Sequence, residues 1–441
     1  MLPKFYKGKF TAVWDDRYLP RDKYDKLYAV MKKGKRLAIK DYIEPNDATD
    51  IVACVGNSGG DFEMMTYVVE KKLAKTLGIL INPRGKLKEL KTKPNTLTFA
   101  IGLDPNLKMR RSIDNLGEQF IEANQNKDFP LKVLKAWKNF DFKHIVGCGM
   151  GGSSLHYDIF NASHLSPHNI VVVKGYRIPK SIDLKRSLVI GSSYSGNTEE
   201  TLACFKQAIE GGAKTIAITG KREGKLALLV KEKKIPVIFL TGDMQPRVAT
   251  GMYFTYLVRI LHELGLSKMF DVDAVASRLK SIQKKLLLET QQLVIKLGNS
   301  TVIIYSGQLL SSSARIAKVI VNENAKLPAF SSILPEANHN EIEGYRQAKG
   351  KYALILLSAP NDHPKIKVRF AKMVDAIRKH SKAEFVDHIY QPTGQSHIER
   401  IFSSFMWSHY LAYNFAIAAN VKPEPVDLIE EFKLELENVN K

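Results

Sequence analysis

The chain has 441 residues, too many for one ordinary core, and its 44% hydrophobic and 25% charged residues are the composition of a globular protein. No apolar run reaches the roughly 20 residues that a membrane-spanning helix needs, and Met1-Leu2-Pro3-Lys4 lacks the apolar centre of a secretory signal. The formal charge of +21 would suit an anionic ligand, but Lys and Arg lie in short groups such as Lys32-Lys33-Gly34-Lys35-Arg36 without interleaved aromatics, so neither a nucleic-acid nor a membrane partner is expected.

In chain order, residues 1–110 hold an apolar run at 51–55, an amphipathic helix around 62–77, and apolar runs at 78–81 and 96–101. That suffices for a small α/β domain, to which the sequence assigns no role. Its Gly56-Asn57-Ser58-Gly59-Gly60 loop reads first as a tight turn and only second as an anion site. Cys54, Cys148 and Cys204 lie far apart, fit neither a metal site nor a disulfide framework, and point to reduced thiols in the cytoplasm.

From about residue 141 the pattern becomes regular. Apolar β-type runs occur at 144–150, 169–174, 187–193, 215–219 and 237–241, with helices between them that include 199–209 and a final one at 247–264. A second alternation places strands at 301–306, 329–333, 353–358 and 384–389, with helices near 311–325, 365–379 and 398–419. Unbroken apolar strands alternating with helices indicate parallel sheets covered on both faces. The expected fold is therefore α/β, with two doubly wound parallel-sheet domains in tandem at 111–268 and 269–441, joined by a helix near 271–296.

Two Gly- and Ser-rich loops each follow a strand and open a helix: Gly147-Cys148-Gly149-Met150-Gly151-Gly152-Ser153-Ser154 and Gly191-Ser192-Ser193-Tyr194-Ser195-Gly196-Asn197-Thr198. Ligands of open α/β sheets collect at the carboxyl ends of the strands, where helix N-termini offer free amides and partial positive charge to an anion. The hydroxyls of Ser193, Ser195 and Thr198 exceed what a helix cap requires. Gly147, Gly149 and Gly152 also fit a dinucleotide fingerprint, but the next strand ends at Lys174 where a ribose-binding acid belongs, so NAD is disfavoured and no cofactor is expected.

Together, Gly-Gly-Ser-Ser and Ser-Tyr-Ser-Gly-Asn-Thr-Glu-Glu-Thr resemble the sugar isomerase (SIS) domain, a phosphosugar-binding unit. Further on, Asn322-Glu323-Asn324-Ala325-Lys326, then Pro335-Glu336-Ala337-Asn338-His339-Asn340-Glu341-Ile342, and the tail Pro425-Val426-Asp427-Leu428-Ile429-Glu430-Glu431-Phe432-Lys433, resemble the bifunctional phosphoglucose/phosphomannose isomerases. The resemblance begins near Ile113. It implies phosphate binding by Gly152, Ser153, Ser193, Ser195 and Thr198. It makes Glu323 the base at carbon, His339 the acid/base for ring opening, Arg247 the steadying cation, and Lys433 a further group at the sugar. It also implies a homodimer in which His339 reaches the neighbouring subunit's site, a hexose phosphate as substrate, and no metal.

Aldose–ketose interconversion needs a base at carbon, an acid/base at the ring oxygen and positive charge beside the developing oxyanion. Some family members carry a threonine shortly before the last lysine, whereas here Glu424, Pro425 and Val426 supply no hydroxyl, so mannose 6-phosphate is a less secure substrate than glucose 6-phosphate. The rival expectations are a non-catalytic phosphosugar sensor, which leaves Glu323 and His339 without a task, and another SIS-type sugar-phosphate isomerase.

Overall fold

The computed structural model describes residues 4–6, 9–11, 52–56, 76–81, 96–99 and 107–439. Residues 62–75 of the helix expected at 62–77 and the loop after Gly56 lie outside these residues, and Thr76 and Leu77 begin a strand instead. Met1–Pro105 forms one compact unit and Asn106–Lys441 another. In the first, β1 (Lys4–Tyr6) and β2 (Lys9–Thr11) pair antiparallel, and β3 (Val52–Gly56), β4 (Thr76–Ile81) and β5 (Thr96–Phe99) form a parallel sheet in that order.

The second unit opens with helices α1 (Leu107–Asp114), α2 (Leu116–Gln125) and α3 (Leu131–Trp137). Five parallel strands follow: β6 (His144–Gly149), β7 (Ile170–Val173), β8 (Ser187–Ser193), β9 (Lys214–Thr219) and β10 (Val237–Phe239), in the order β10-β9-β8-β6-β7. Helices α4 (Leu155–Ala162), α5 (Glu199–Glu210), α6 (Lys225–Glu232) and α7 (Thr250–Glu263) connect and cover them. The chain goes from β6 to one neighbour and returns to the other, so the strand order reverses between β6 and β8. A crevice opens at that point, outside the carboxyl ends of the strands.

Helix α8 (Val272–Leu297), capped by the Asp271 carboxylate accepting from the Ala274 amide, leads to a second parallel sheet. It contains β11 (Thr301–Ser306), β12 (Ala329–Ile333), β13 (Lys351–Leu357) and β14 (Glu384–Tyr390), ordered β12-β11-β13-β14, with its own reversal between β11 and β13. Its helices are α9 (Ser311–Ile320), α10 (Lys365–His380), α11 (His397–Ala418) and, last, α12 (Asp427–Val439). The parallel sheets follow from the sequence pattern: β8 is buried at every residue, with an apolar Leu188–Ile190 centre and small Gly and Ser residues at its carboxyl end, as a strand covered on both faces allows.

One hydrophobic core runs through both sheets of this unit. It contains Ile190 and Ile216 from the first, Ile304 and Ile355 from the second, and Phe402, Trp407 and Tyr410 of α11. Helix α8 packs along α11 and α2, so it is part of the shared core as well as the connection expected near 271–296. A smaller cluster lies on the opposite face of the second sheet, around Tyr305, Phe370 and Met373.

Candidate active site

The first reversal point carries both glycine-rich loops. After β6, Gly151–Ser154 makes a tight 3-10 turn into α4. Gly152 is required there, because a Cβ at this position would lie 2.4 Å from the Arg247 nitrogen. The Ser153 hydroxyl accepts from the Tyr194 amide at 3.1 Å and shares a hydrogen with Tyr253 at 3.3 Å, while the Ser153 amide donates to the Met150 carbonyl. Ser153 therefore joins the two loops, and its polar groups are used internally.

After β8, the Ser193 hydroxyl lies 2.9 Å from that of Thr198 and accepts from the Gly196 amide at 3.1 Å. Gly196 has φ +72° and its Cα faces Gly224, where only glycine fits without strain. Ser195 is exposed, and its hydroxyl accepts from the Asn197 amide. Thr198 stands at the N-cap of α5 but makes no capping hydrogen bond. The hydroxyls are thus not explained by capping, and the start of α5 keeps the field and amides that suit a phosphate.

Glu323 sits on the second half of the chain. Residues expected to continue one helix to 325 instead form α9 to Ile320 and then a π-helical turn, Val321–Ala325, closed by Lys326 at φ 59°. Pro328, two residues after Lys326, has no N–H with which to continue a helix, and Asn322 donates to the Leu327 carbonyl at 2.8 Å across the exit. π-turns of this kind recur at functional sites. This one leaves the Glu323 side chain 20% exposed while burying Asn324 completely.

Arg247 comes from the first half, in the turn before α7, and is 1% exposed. Its Nη1 lies 3.1 Å from Glu323 Oε2 and 3.2 Å from Gln245 Oε1. Its Nη2 donates to the Pro423 and Glu424 carbonyls at 2.9 Å, and its Nε donates to Asn324 Oδ1. All five N–H donors of the guanidinium are engaged. Burial pulls its pKa down, with the Glu323 charge opposing. Lys326 donates to the Pro425 carbonyl at 2.6 Å and to the Glu323 carbonyl, and burial followed by the nearby Arg247 charge lowers its pKa.

The two glycine-rich loops, Arg247 and Glu323 are therefore contiguous. His339 and Lys433 are not part of this cluster within one chain. His339 is exposed at the end of the Glu336–His339 turn, with no hydrogen-bond or ion-pair partner among the described residues. Lys433 is exposed on α12 and pairs with Glu430 at 2.6 Å. Glu341, which the sequence groups with His339, belongs to the smaller core instead: Ser332 and Tyr305 both donate to it, and Tyr305 shares a hydrogen bond with Tyr345.

Sequence reasoning missed two fully buried histidines beside the site. His156 on α4 reaches the Ser192 hydroxyl at 3.3 Å and stacks on Tyr253, and burial, then the Lys174 charge, pushes its pKa down to about 3. His409 on α11 lies 3.3 Å from Asn324 and is likewise pushed down to about 3, first by burial and then by Arg247. The available signal was only a histidine among the apolar residues of each helix.

The second reversal point is filled from within. There Asp362 accepts from the Ala359 amide at 2.6 Å and lies against Gly307, where an added Cβ would meet its Oδ1 at 2.5 Å. No group of three or more His, Cys, Asp or Glu among the described residues is placed to hold a metal ion, and none of their helices is long and apolar enough to cross a membrane.

Residues 288–436 match the family of the bacterial phospho-glucose isomerase C-terminal SIS domain. The bifunctional phosphoglucose/phosphomannose isomerase of Caldicellulosiruptor bescii is 31% identical over 350 residues, covering 75% of this chain and 99% of that protein. The D-glucosamine-6-phosphate 4-epimerase of Sulfolobus acidocaldarius is 31% identical over 322 residues, covering 73% of this chain and 96% of that protein. A hypothetical protein of Thermus thermophilus shares the fold, with a TM-score of 0.59 and 14% identity over 75% of this chain and 94% of its own.

Proposed function

The chain belongs to the bifunctional phosphoglucose/phosphomannose isomerase family, and from that premise we propose that it interconverts fructose 6-phosphate and glucose 6-phosphate through an enediolate. As a sugar-phosphate isomerase it must anchor the phosphate and present a base to C1 and C2. The observation that carries this reading is a single contiguity: the Glu323 carboxylate, one-fifth exposed, is held by buried Arg247, whose backbone packs on Gly152 of the phosphate-binding loop.

In this reading the phosphate sits at the start of α5, among Ser193, Ser195, Thr198 and the backbone at Gly152. Glu323 carries the proton between C1 and C2. Arg247 supplies positive charge beside the developing oxyanion and holds the carboxylate still, since its own N–H groups are occupied. His339 serves as acid/base for ring opening from a neighbouring copy in a homodimer, because in its own chain it stands away from Glu323. Lys433 joins the sugar site in the same assembly.

A coupled assay with fructose 6-phosphate, without added metal, tests the proposal. Tight phosphosugar binding without glucose 6-phosphate formation would overturn it in favour of a sensor. Glucosamine 6-phosphate belongs in the same series because the Sulfolobus epimerase is as similar to this chain as the isomerases are. Mannose 6-phosphate probes the segment before α12, where Glu424 has no hydroxyl and its carboxylate pairs with Lys108 at 3.2 Å.

A further inference from the structure

His409 is 0% exposed on α11, a buried helix that carries Phe402, Phe405, Met406, Trp407 and Tyr410 along with the small polar residues Ser403, Ser404 and Ser408. Its Nδ1 lies 3.3 Å from Asn324 Nδ2, and Phe405 packs edge-on against its ring at 4.6 Å. The direction of that hydrogen bond is fixed by the group on the far side of Asn324. Arg247 Nε can only donate, so the amide must turn its oxygen to Arg247 and its NH2 to the histidine. His409 Nδ1 must then accept, and the ring must be neutral with its proton on Nε2.

That arrangement is a poor one for packing alone. Nε2 is buried with no hydrogen bond of normal geometry, and its contact to the Arg247 backbone raises the pKa against the burial. Leucine or methionine would fill the volume without a poorly paired buried N–H, which is costly. What an apolar side chain lacks is an acceptor for Asn324.

We propose that His409 is a positioning residue for the reaction: by accepting from Asn324 it orients that amide, Asn324 thereby seats Arg247, and Arg247 fixes the Glu323 carboxylate. Without the acceptor, the Asn324 NH2 is buried unpaired, and the amide gains by rotating away. Rotation presents NH2 to a guanidinium, and Arg247 must then shift from Glu323. The inference rests on Glu323 being the base at carbon.

The test compares His409→Leu, which removes the acceptor, with His409→Gln, whose amide oxygen restores one. With fructose 6-phosphate, His409→Leu should lower kcat by about 10–100-fold, the scale expected for a misplaced reacting group, with KM changed by less than about threefold. His409→Gln should recover most of kcat. Equal losses in both variants, or no loss in either, would overturn the proposal. Should His409→Leu not fold, His409→Met is read the same way.

A second measurement does not need turnover. In 15N-labelled protein, the Arg247 Nε–H resonance should persist in wild type and His409→Gln and disappear or shift in the leucine or methionine variant. An unchanged resonance there removes the proposed chain whether or not the enzyme is active. If wild-type protein does not convert the sugar phosphate, the isomerase reading fails, and this signal alone decides whether His409 seats Arg247.

Discussion

The backbone of Arg247 lies so close to Gly152 that an added Cβ would sit 2.4 Å from its nitrogen and 2.7 Å from its Cα. Neither side can yield as the end of a flexible side chain would. Gly152→Ala should therefore force the phosphate loop and the Arg247 turn apart, destabilising the fold by about 2–3 kcal/mol, as overpacking does. It should also raise KM and lower kcat together, because one displacement moves both the phosphate site and the base. The neighbouring Gly151 has φ +48° and open space around it, so Gly151→Ala should cost only about 1–2 kcal/mol of backbone strain and leave kcat nearly unchanged. Urea unfolding and steady-state kinetics on both variants check the contrast.

Glu323→Gln should lower turnover by about 10²–10⁴-fold, the usual contribution of a positioned base, while phosphosugar binding persists. The amide keeps the size of the carboxylate and can still accept from Arg247, so the loop geometry is preserved. Arg247→Lys should lose activity as well as stability, since three donors on a flexible stem cannot replace a planar fork bound to five acceptors. Isothermal titration with fructose 6-phosphate alongside the coupled assay separates the two effects. A Glu323→Gln enzyme that turns over normally would remove Glu323 from the mechanism.

These residues were legible in the sequence to different depths. The strands were readable because parallel strands buried on both faces have apolar centres, such as Leu188–Ile190 within the buried Ser187–Ser193. The two loops were readable because glycine at tight approaches and hydroxyls at a helix start have local causes. The link from Arg247 to Glu323 and Asn324 was not, since partners 76 and 77 positions apart meet only through the shared core of the two sheets. The π-turn that aims Glu323 has no periodic signature either. His409 is one of several buried polar residues on α11, and only the side of Asn324 it faces gives it a task.

Acid stability should depend on the two buried histidines. Both are neutral in the folded protein, with pKa values pushed down to about 3, against about 6.5 when unfolded. A depressed histidine pKa means that the unfolded chain binds the proton first. Their full stabilisation therefore holds above about pH 6.5 and falls away as the pH drops toward 3, by about 1.4 kcal/mol per unit for each histidine. Urea midpoints should fall steeply between pH 6.5 and 5. His409→Gln should remove roughly half of that slope, and a wild-type midpoint flat over this range would contradict the buried neutral state.

Asp362 should keep an anion out of the second reversal point. Its carboxylate holds the Ala359 amide and covers Gly307, and burial raises its pKa. Asp362→Ala uncovers that amide, in a segment where the buried Ser306 and Ser358 hydroxyls have no hydrogen-bond partner among the described residues. The variant should be less stable than wild type by about 1–3 kcal/mol, the cost of an unpaired buried donor. Inorganic phosphate should raise its unfolding temperature more than it raises that of wild type. Equal phosphate effects on the two proteins would mean that the vacated space is not an anion site.

The exposed position of His339 gives the dimer a direct test. Helix α12 also presents Leu428 and Phe432, 80% and 57% exposed and one turn apart, beside Lys433. If a neighbouring copy supplies His339, then Glu323→Gln and His339→Ala chains, each inactive alone, should complement when mixed and refolded together. A mixed dimer then holds one site with both Glu323 and His339 intact and one with neither, so a random mixture should regain about a quarter of wild-type activity. Phe432→Glu should reduce both the mass measured by light scattering and the regained activity. A mixture that stays inactive although mixed dimers form would place His339 in the site of its own chain, or outside the reaction.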